Sequence, residues 1–338
     1  MTTESHLAPL IVVNANAKRG GRRIAAELAK RLPHMRVRLT RSADELDALL
    51  RESSLDTPVF AAGGDGTAIA VVNALDRIWP KPSPLPHVGI LPLGTGNAWA
   101  RVSGVSTLDD AVSRLAHHRG PLPTRLFSLA RCEGQLTHFC GSGLDAELLD
   151  AYKRQIESAR GPMKRVVKTV GGYLIAVVTD LVPRSLFKQV PLLRVETLDA
   201  EVYAPDHTGH VRLIDGVVPG QVMYEGPASM AGAGTCPEFG YRFRAFPFAE
   251  RMPHFLHVRV YGANALTGAL SIGDLWTGEP NMPGMHDWLM KRVRLTFNRP
   301  VAFQSAGDAW GMRETSVIEA DDRLAEVVDW RQVDNRGD

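Results

Sequence analysis

Two glycine-rich segments carry the residue types that could surround a phosphate group. Gly63-Gly-Asp-Gly-Thr67 follows the apolar run 58–62, and Gly94-Thr-Gly-Asn97 follows the apolar run 87–91. Glycine permits positive φ angles and lets backbone N–H groups close around an anion, and a helix that begins near Ala68 would add its positive end. A single Gly-Gly turn is usually only a turn, but two such loops after consecutive strands favour binding of a nucleotide or a phosphate.

A third segment of small and basic residues, 14–21, follows the first apolar run. Arg19, Arg22 and Arg23 could supply the positive charge that attracts a phosphate. Asp65 is negative and cannot bind phosphate itself, so it would hold Mg²⁺, accept a proton or fasten the turn. The residues predicted to bind the nucleotide are Asn14, Arg19, Gly63, Gly64, Asp65, Gly66, Thr67, Gly94, Thr95, Gly96 and Asn97.

Strands and helices alternate over residues 10–118. Apolar runs predict strands at 10–13, 58–62 and 87–91, and 37–40 is predicted as a further strand. Helices are predicted between them, as where Ile24, Leu28 and Leu32 lie at four-residue spacing. This alternation is typical of a doubly wound parallel sheet, in which ligands lie beyond the carboxyl ends of the strands. All three loops follow predicted strands, so this α/β fold would bring them to one edge of the sheet.

Beyond Arg125 the apolar pattern changes to a period of two, as in 255–260 and 292–297. This period predicts strands with one wet face, which are typical of an antiparallel sheet. A helical stretch over roughly 146–181 is the exception. We therefore predict a nucleotide-binding α/β domain at 1–125 and a β-rich domain at 126–338, and leave open whether the C-terminal end returns to the first domain.

The overall composition is that of an ordinary globular protein of 338 residues, 22% of them charged. A net charge of only +2 gives no overall field that would attract a nucleic acid. Three cysteines without a CxxC pair are typical of reduced thiols, and neither a signal peptide nor an apolar run of membrane-spanning length occurs. The sequence thus predicts a cytoplasmic protein, with its oligomeric state open.

The motifs together resemble the diacylglycerol kinase catalytic-domain family, which includes diacylglycerol, sphingosine and ceramide kinases and bacterial lipid kinases. Gly63-Gly-Asp-Gly-Thr67 and Pro92-Leu-Gly-Thr-Gly-Asn97 resemble its two hallmark motifs, and Asn14-Ala-Asn-Ala17 is similar to its NPxSG-like strand end. Gly143-Leu-Asp-Ala146 is similar to its GFDA segment, and Gln304-Ser-Ala-Gly-Asp308 to its late xDGE motif. The resemblance covers most of the chain and is strongest over 8–104.

This resemblance implies a kinase that transfers the γ-phosphate of ATP to the hydroxyl of a diacylglycerol-like or sphingoid lipid, with Mg²⁺ as cofactor. It also implies that the second domain is a β-sandwich that carries the lipid pocket. Phosphoryl transfer requires charge neutralisation and a carboxylate near the substrate hydroxyl. The candidate catalytic residues are Asp65 and Asp308, although an aspartate beside Gly307 is also typical of a β-turn.

Several acidic residues of the family pattern are absent. Ala98, Ser128 and Ala306 stand where aspartate is usual, and Asp308 stands where glutamate is usual. Either the active site is rebuilt around the two remaining aspartates, or the chain is a catalytically impaired module that binds nucleotide or lipid. The acidic loop that holds a structural metal in some bacterial members has no clear counterpart near 251–254, so the metal ligands are not predicted.

An NAD kinase-like enzyme is a further alternative, because NAD kinases and phosphofructokinases share the Gly-Gly-Asp-Gly-Thr loop. They do not share the second loop followed by Ala100-Arg101. The second loop therefore favours the lipid kinases.

The stretch 152–188 contains eight basic and two acidic residues among apolar ones, which fits contact with an anionic membrane or a solvated helix. We thus leave open a peripheral contact with the membrane through this stretch.

Other sites are not indicated. The sequence has no GxxxxGK[ST] loop and no GxSxG nucleophile elbow. His254 and His257 would point to opposite faces of a strand, which makes a poor zinc site.

Overall fold

A computed structural model describes residues 8–15, 21–81, 83–94, 96–143, 146, 190–206, 208–240, 242–262, 272–278 and 282–333. The chain divides into two units. Unit 1 comprises Met1–Leu129, Glu238–Arg242 and Asp321–Asp338, and unit 2 comprises Ala130–Pro237 and Phe243–Ala320.

The first part of unit 1 alternates strands and helices as predicted. Its elements are β1 (Leu10–Asn14), α1 (Gly21–Arg31), β2 (Arg36–Thr40), α2 (Ala43–Arg51), β3 (Val59–Gly63), α3 (Asp65–Ile78), β4 (Val88–Pro92), α4 (Ala98–Val102) and α5 (Leu108–His117). The strands form a parallel sheet in the order β4-β3-β1-β2. The predicted parallel α/β sheet is therefore confirmed.

The apolar runs form the buried centre of this sheet. Leu10, Ile11, Val12 and Val13 of β1 are at most 1% exposed. Among the helices, α1 packs with α5 and α2 packs with α3. Ser42 caps α2 by accepting a hydrogen bond from the backbone N–H of Glu45, which fixes the start of that helix.

The C-terminal segment 321–333 also belongs to unit 1. Val327 pairs in parallel with Val88 of β4. Trp330 is fully buried, with its ring edge-on to Phe60 at 6.2 Å. Arg323 binds Asp76 of α3 with an N–O distance of 2.8 Å. These contacts make the segment part of the core of unit 1.

Unit 2 is rich in antiparallel strands, as predicted. The remaining strands that the structure describes are β5 (Thr124–Cys132), β6 (Gln135–Thr137), β7 (Phe139–Gly143), β8 (Leu192–Thr197), β9 (Val202–Pro205), β10 (Val211–Leu213), β11 (Val222–Pro227), β12 (Met230–Gly234), β13 (Leu256–Tyr261), β14 (Met285–Met290), β15 (Arg292–Ser305) and β16 (Asp308–Val328), with helix α6 (Ile272–Thr277) before β14. Within unit 2 the strands follow the order β10-β9-β14-β13-β12-β7-β15, with β8 and β11 continuing from β15. Of the helix predicted over 146–181, only Ala146 lies within the described residues, and it is helical.

Burial in unit 2 agrees with the predicted alternation on β15 but not on β13. Residues 292–297 alternate between buried and more exposed positions. All six residues of β13 are buried, so the prediction of one wet face is wrong for this strand. Phe246 and Phe248, from the irregular segment before β13, pack against His257 and cover the expected polar face.

A buried polar cluster explains how β13 carries charged residues inside unit 2. The carboxylate of Asp287 accepts bonds from Arg259 at 2.6 and 3.1 Å and lies 2.8 Å from Nε2 of His257. Burial lowers the pKa of His257, and the nearby Asp287 only partly offsets this. Burial alone would raise the pKa of Asp287, but its two partners hold that pKa well below the usual range.

The lowered pKa of His257 predicts how stability changes with pH. In the unfolded chain His257 takes up a proton near its ordinary pKa of about 6.5, but in the folded protein it resists protonation. The free energy of unfolding should therefore fall as the pH drops below about 6.5, by up to about 1.4 kcal/mol per pH unit for this residue. Urea unfolding at pH 7.5 and 5.5 measures the change, and His257→Asn should reduce it.

His286 should contribute with the same sign, because burial also lowers its pKa. His34→Asn provides the matched control, since His34 lies exposed on unit 1. An equal pH dependence of wild type and His257→Asn would contradict this assignment.

Among the described residues, no helix is long and apolar enough to cross a membrane.

Candidate functional site

The predicted loop 63–67 is shorter than expected, because its second half already belongs to α3. β3 ends at Gly63, Gly64 is the N-cap, and the helix begins at Asp65 rather than near Ala68. Gly64 has no side chain, and no side chain of the described residues caps this helix start. The positive end of a helix of 14 residues is thus left for another partner, and an anion is the partner that a helix N-terminus favours.

The two glycine loops contact each other through their backbones. The carbonyl oxygen of Gly63 accepts hydrogen bonds from the N–H groups of Leu93 and Gly94 at 2.8 and 3.2 Å. A β-carbon built on Gly94 would lie 2.5 Å from Cα of Gly64, and one built on Gly64 would lie 3.1 Å from Cα of Gly94. Glycine is therefore required here by the close approach of two backbones.

The expectation that these glycines serve positive φ angles is wrong at Gly64, whose φ is −96°. In the second loop the left-handed residue is Asn97, with a φ of 48°. Asn97 stabilises the loop by donating a hydrogen bond from Nδ2 to the carbonyl oxygen of Gly94 at 2.8 Å. Its Oδ1 atom is buried and has no hydrogen-bond partner among the described residues.

Asp65 joins the first loop to the helix that follows the second. Its Oδ2 atom accepts a hydrogen bond from the N–H of Ala98, and its Oδ1 atom accepts one from the N–H of Trp99, both at 3.0 Å. These two donors are the first backbone N–H groups of α4. These two hydrogen bonds support a structural role for Asp65, which is to hold the start of α4 against the first loop.

Asn14 lies beside the first loop, at the end of β1. Its Nδ2 atom donates to Oγ1 of Thr67 at 3.2 Å. The side chain of Thr67 also lies over Gly63, where a built β-carbon would be 2.3 Å from Oγ1. The carboxyl ends of β1 and β3 therefore meet as the parallel sheet predicts.

A cavity of about 360 Å³ adjoins the second loop. Its lining includes Ile24, Glu27, Gly94, Asn97, Thr107 and Asp109. Arg31 lies 2.6 Å from the carboxylate of Asp109 and 3.4 Å from that of Glu27. The cavity therefore combines apolar walls with hydrogen-bond acceptors and two carboxylates.

Two residues outside the predicted site support the second loop. The guanidinium of Arg101, in α4, binds the carboxylate of Glu238 and donates to the carbonyl oxygen of Gly96. In the sequence, Arg101 is distinguished only by its position in Ala100-Arg101, shortly after the second loop. No local signal could identify Glu238, because its partner lies far away in the sequence.

The structure brings most of the predicted nucleotide-binding residues to one edge of the sheet. These are Asn14, Gly63, Gly64, Asp65, Gly66, Thr67, Gly94, Gly96 and Asn97. Arg19 and Thr95 lie outside the described residues, as do Leu144 and Asp145 of the GFDA-like segment. The roles of all these residues in binding stay predictions.

Asp308 belongs to unit 2 and is exposed. It pairs with Ser305 across a two-residue turn, in which Ala306 and Gly307 have φ angles of 50° and 83°. Two positive φ angles in succession are typical of a tight hairpin turn. Asp308 therefore occupies the turn position that the sequence left open, and its catalytic role stays a prediction.

Comparison with known proteins identifies the relatives of this chain. Residues 9–123 match the diacylglycerol kinase catalytic domain. The chain is 37% identical over 98 residues to the eye-specific diacylglycerol kinase of Drosophila melanogaster, which covers 28% of this chain and 7% of that protein. It is 30% identical over 172 residues to human diacylglycerol kinase theta, which covers 43% of this chain and 18% of that protein. The chain thus spans less than a fifth of these relatives.

Among solved structures, the chain is similar to a diacylglycerol kinase from Bacillus anthracis str. Sterne, with a TM-score of 0.61 and 15% identity. The similarity covers 95% of this chain and 96% of that one. At this identity the similarity shows a shared fold, which extends over both units.

Proposed function

Because residues 9–123 form a domain of the diacylglycerol kinase catalytic-domain family, we propose that this protein is a lipid kinase that transfers the γ-phosphate of ATP to a lipid hydroxyl. The lipid is of the diacylglycerol or sphingoid class. One observation carries the proposal: the two glycine loops meet at a helix N-terminus that has no side-chain cap within the part of the chain that the structure describes. Phosphoryl transfer depends mainly on positioning and charge stabilisation, and backbone N–H groups at a helix start supply both.

The cavity beside the second loop supports one orientation of a bound nucleotide, with its nucleoside in the cavity. Its volume of about 360 Å³ is within the range of small-molecule sites. Glu27 and Asp109 are paired with Arg31, and the acceptor positions that remain on their carboxylates suit the hydroxyl and amino donors of a nucleoside. We therefore place the phosphates at the start of α3 and the adenosine in this cavity.

Asp65 fits the Mg²⁺ that accompanies ATP. Each of its oxygens accepts one backbone hydrogen bond, and a carboxylate has about four acceptor positions in total. The remaining positions suit a hard cation, which prefers oxygen ligands and usually binds through one or two carboxylates plus substrate phosphates. When bound, Mg²⁺ would neutralise phosphate charge.

Asp308 is the second proposed catalytic residue, as the acceptor of the lipid hydroxyl proton.

A catalytically impaired module that binds nucleotide or lipid is the second candidate function. Ala98, which stands where the family has aspartate, is fully buried, and its N–H is held by Asp65. A methyl group at this position contributes neither charge nor a metal ligand. This substitution favours the module, whereas the intact glycine loops favour the kinase.

Purified protein, Mg²⁺ and γ-labelled ATP separate these candidates. The acceptors to compare are diacylglycerol, sphingosine, ceramide and NAD. Transfer of label to a lipid would support the lipid kinase, and transfer to NAD would support the NAD kinase-like alternative. Binding of ATP without any transfer would support the module. Absence of ATP binding would contradict both the lipid kinase and the NAD kinase-like enzyme.

The proposed membrane contact falls on 152–188, a stretch that lies outside the described residues. If this stretch docks on anionic lipid, each basic residue near the surface contributes on the order of 1 kcal/mol. Changing Lys164, Arg165 and Lys168 together to Gln should then weaken binding to phosphatidylserine vesicles by a factor of several tens or more, with ATP affinity unchanged. Vesicle co-sedimentation at low and high salt measures this, and equal, salt-insensitive binding of both proteins would contradict it.

A further inference from the structure

A short segment from the second half of the sequence lies against the second glycine loop. The chain between β12 and β13 contains Glu238–Arg242, which belongs to unit 1 although the residues on either side of it belong to unit 2. Glu238 and Gly240 make the contacts that join this segment to unit 1.

Glu238 binds the guanidinium of Arg101 through a single oxygen. The Nε and Nη2 atoms of Arg101 lie 2.9 and 2.8 Å from Oε2 of Glu238. The two side chains are only 15% and 20% exposed. Hydrogen bonds between charged groups are stronger than neutral ones, and this pair is shielded from most of the solvent that weakens surface ion pairs.

Arg101 transmits this contact to the loop. Its Nη1 atom donates to the carbonyl oxygen of Gly96, the residue before Asn97. Arg101 itself lies in α4, whose first N–H groups are held by Asp65. The second loop is therefore fastened from two sides: by Asp65 at the start of α4, and by Arg101 with Glu238 at Gly96.

Gly240 brings its backbone close to the same loop. A β-carbon built on Gly240 would lie 3.6 Å from Cα of Gly96, and the φ of Gly240 is 132°. Residues with a side chain rarely adopt this conformation. A glycine at this position thus lets the backbone of the segment follow the backbone of the loop.

We propose that Glu238 is a positioning residue of the nucleotide site, which acts through Arg101 to hold Gly96 and Asn97 in the geometry that binds ATP. Residues 238–240 then form a third wall of the site beside the two glycine loops. This inference rests on the proposed binding of ATP to those loops. Its physical basis is that backbone donors must be held in place before the phosphate arrives, since a misplacement of about 1 Å can cost on the order of a hundredfold in rate.

Glu238→Gln tests this role, because it keeps the shape of the side chain and removes its charge. We expect the KM and Kd for ATP to rise roughly ten- to hundredfold, while the KM for the lipid changes little. Glu238→Asp keeps the charge on a shorter side chain and should have a smaller effect. It also provides a measurement if the glutamine variant does not fold.

Asp76→Asn is the matched control. Asp76 forms an ion pair with Arg323 in unit 1, with the side chains 17% and 6% exposed, and it lies in the last turn of α3, at the opposite end of that helix from the first glycine loop. It should lower the Tm without raising the KM for ATP. A double-mutant cycle with Arg101→Gln should show that the two changes at 101 and 238 are not additive.

The outcomes separate the two proposals. If the wild type binds ATP but Glu238→Gln has an unchanged KM and Kd, Glu238 does not position the loop and the proposed function stands. If Asp76→Asn raises the KM for ATP as much as Glu238→Gln does, the effect is not specific to residue 238. The positioning role is then wrong, and the proposed function again stands. If the wild type binds no ATP, the proposed function is wrong and the positioning role is overturned with it.

Discussion

Gly64→Val should abolish ATP binding in a protein that still folds. The β-carbon of residue 64 would lie 3.1 Å from Cα of Gly94, and the two methyl groups of valine extend further into the space before α3. The backbone at residue 64 is extended and accepts valine, so the effect comes from separating the loops and not from strain in φ. Calorimetric titration with Mg-ATP, together with circular dichroism of the folded state, measures both parts of this expectation.

Gly273→Val is the matched control for this substitution. A β-carbon on Gly273, in α6, has no atom of the described residues within 4 Å, and the residue is exposed. The control should bind ATP like the wild type. A folded Gly64→Val protein with unchanged ATP affinity would remove the first loop from the nucleotide site.

Asp65→Asn should reduce both phosphoryl transfer and stability. The amide side chain has one acceptor oxygen, so it can keep only one of the two bonds to Ala98 and Trp99, and its NH₂ group would face the other N–H. Loss of one bond to a charged group costs about 1.5–3 kcal/mol of stability. If Asp65 also holds Mg²⁺ or accepts a proton, kcat should fall by roughly 10²–10⁴-fold, which is more than the loss of stability alone explains.

Ser42→Ala separates the two effects, because Ser42 also caps a helix but does so at α2. Its removal should cost about 1 kcal/mol of stability and leave kcat unchanged. A rate for Asp65→Asn above about a tenth of the wild-type rate would sink the catalytic role and leave Asp65 as a fastener between the loops.

The sequence predicts the parallel sheet and its loops because their signals are local. A buried parallel strand is a continuous apolar run, as in 58–62, and the glycine segment directly after it marks the turn. The start of α3 is predicted three residues too late because Gly64 gives no side-chain capping signal. The helix α4 is not predicted at all, because it has only five residues and its cap is Asp65, which lies 33 residues before Ala98.

The parts that the sequence does not predict depend on contacts between distant segments. The polar face of β13 is buried because Phe246 and Phe248 cover it, and these residues lie in an irregular segment without periodicity. Glu238 is 137 residues from Arg101, so no pattern within either segment indicates the pair. Asp65 is a catalytic candidate because it is a carboxylate within a glycine loop, and Asp308 is one because of motif resemblance. The geometry supports a fastening role for the first and a turn position for the second.

The late return of the chain to unit 1 bears on how the protein is made on the ribosome. Val88 of β4 has no partner on one side until Val327 is synthesised, and the space beside Phe60 is filled only by Trp330. Domains usually fold as units, and N-terminal ones usually fold first during synthesis, but unit 1 cannot complete its sheet in that order. The nascent chain therefore carries unit 1 with an incomplete sheet and an unfilled space beside Phe60 until residues 327–330 have been synthesised.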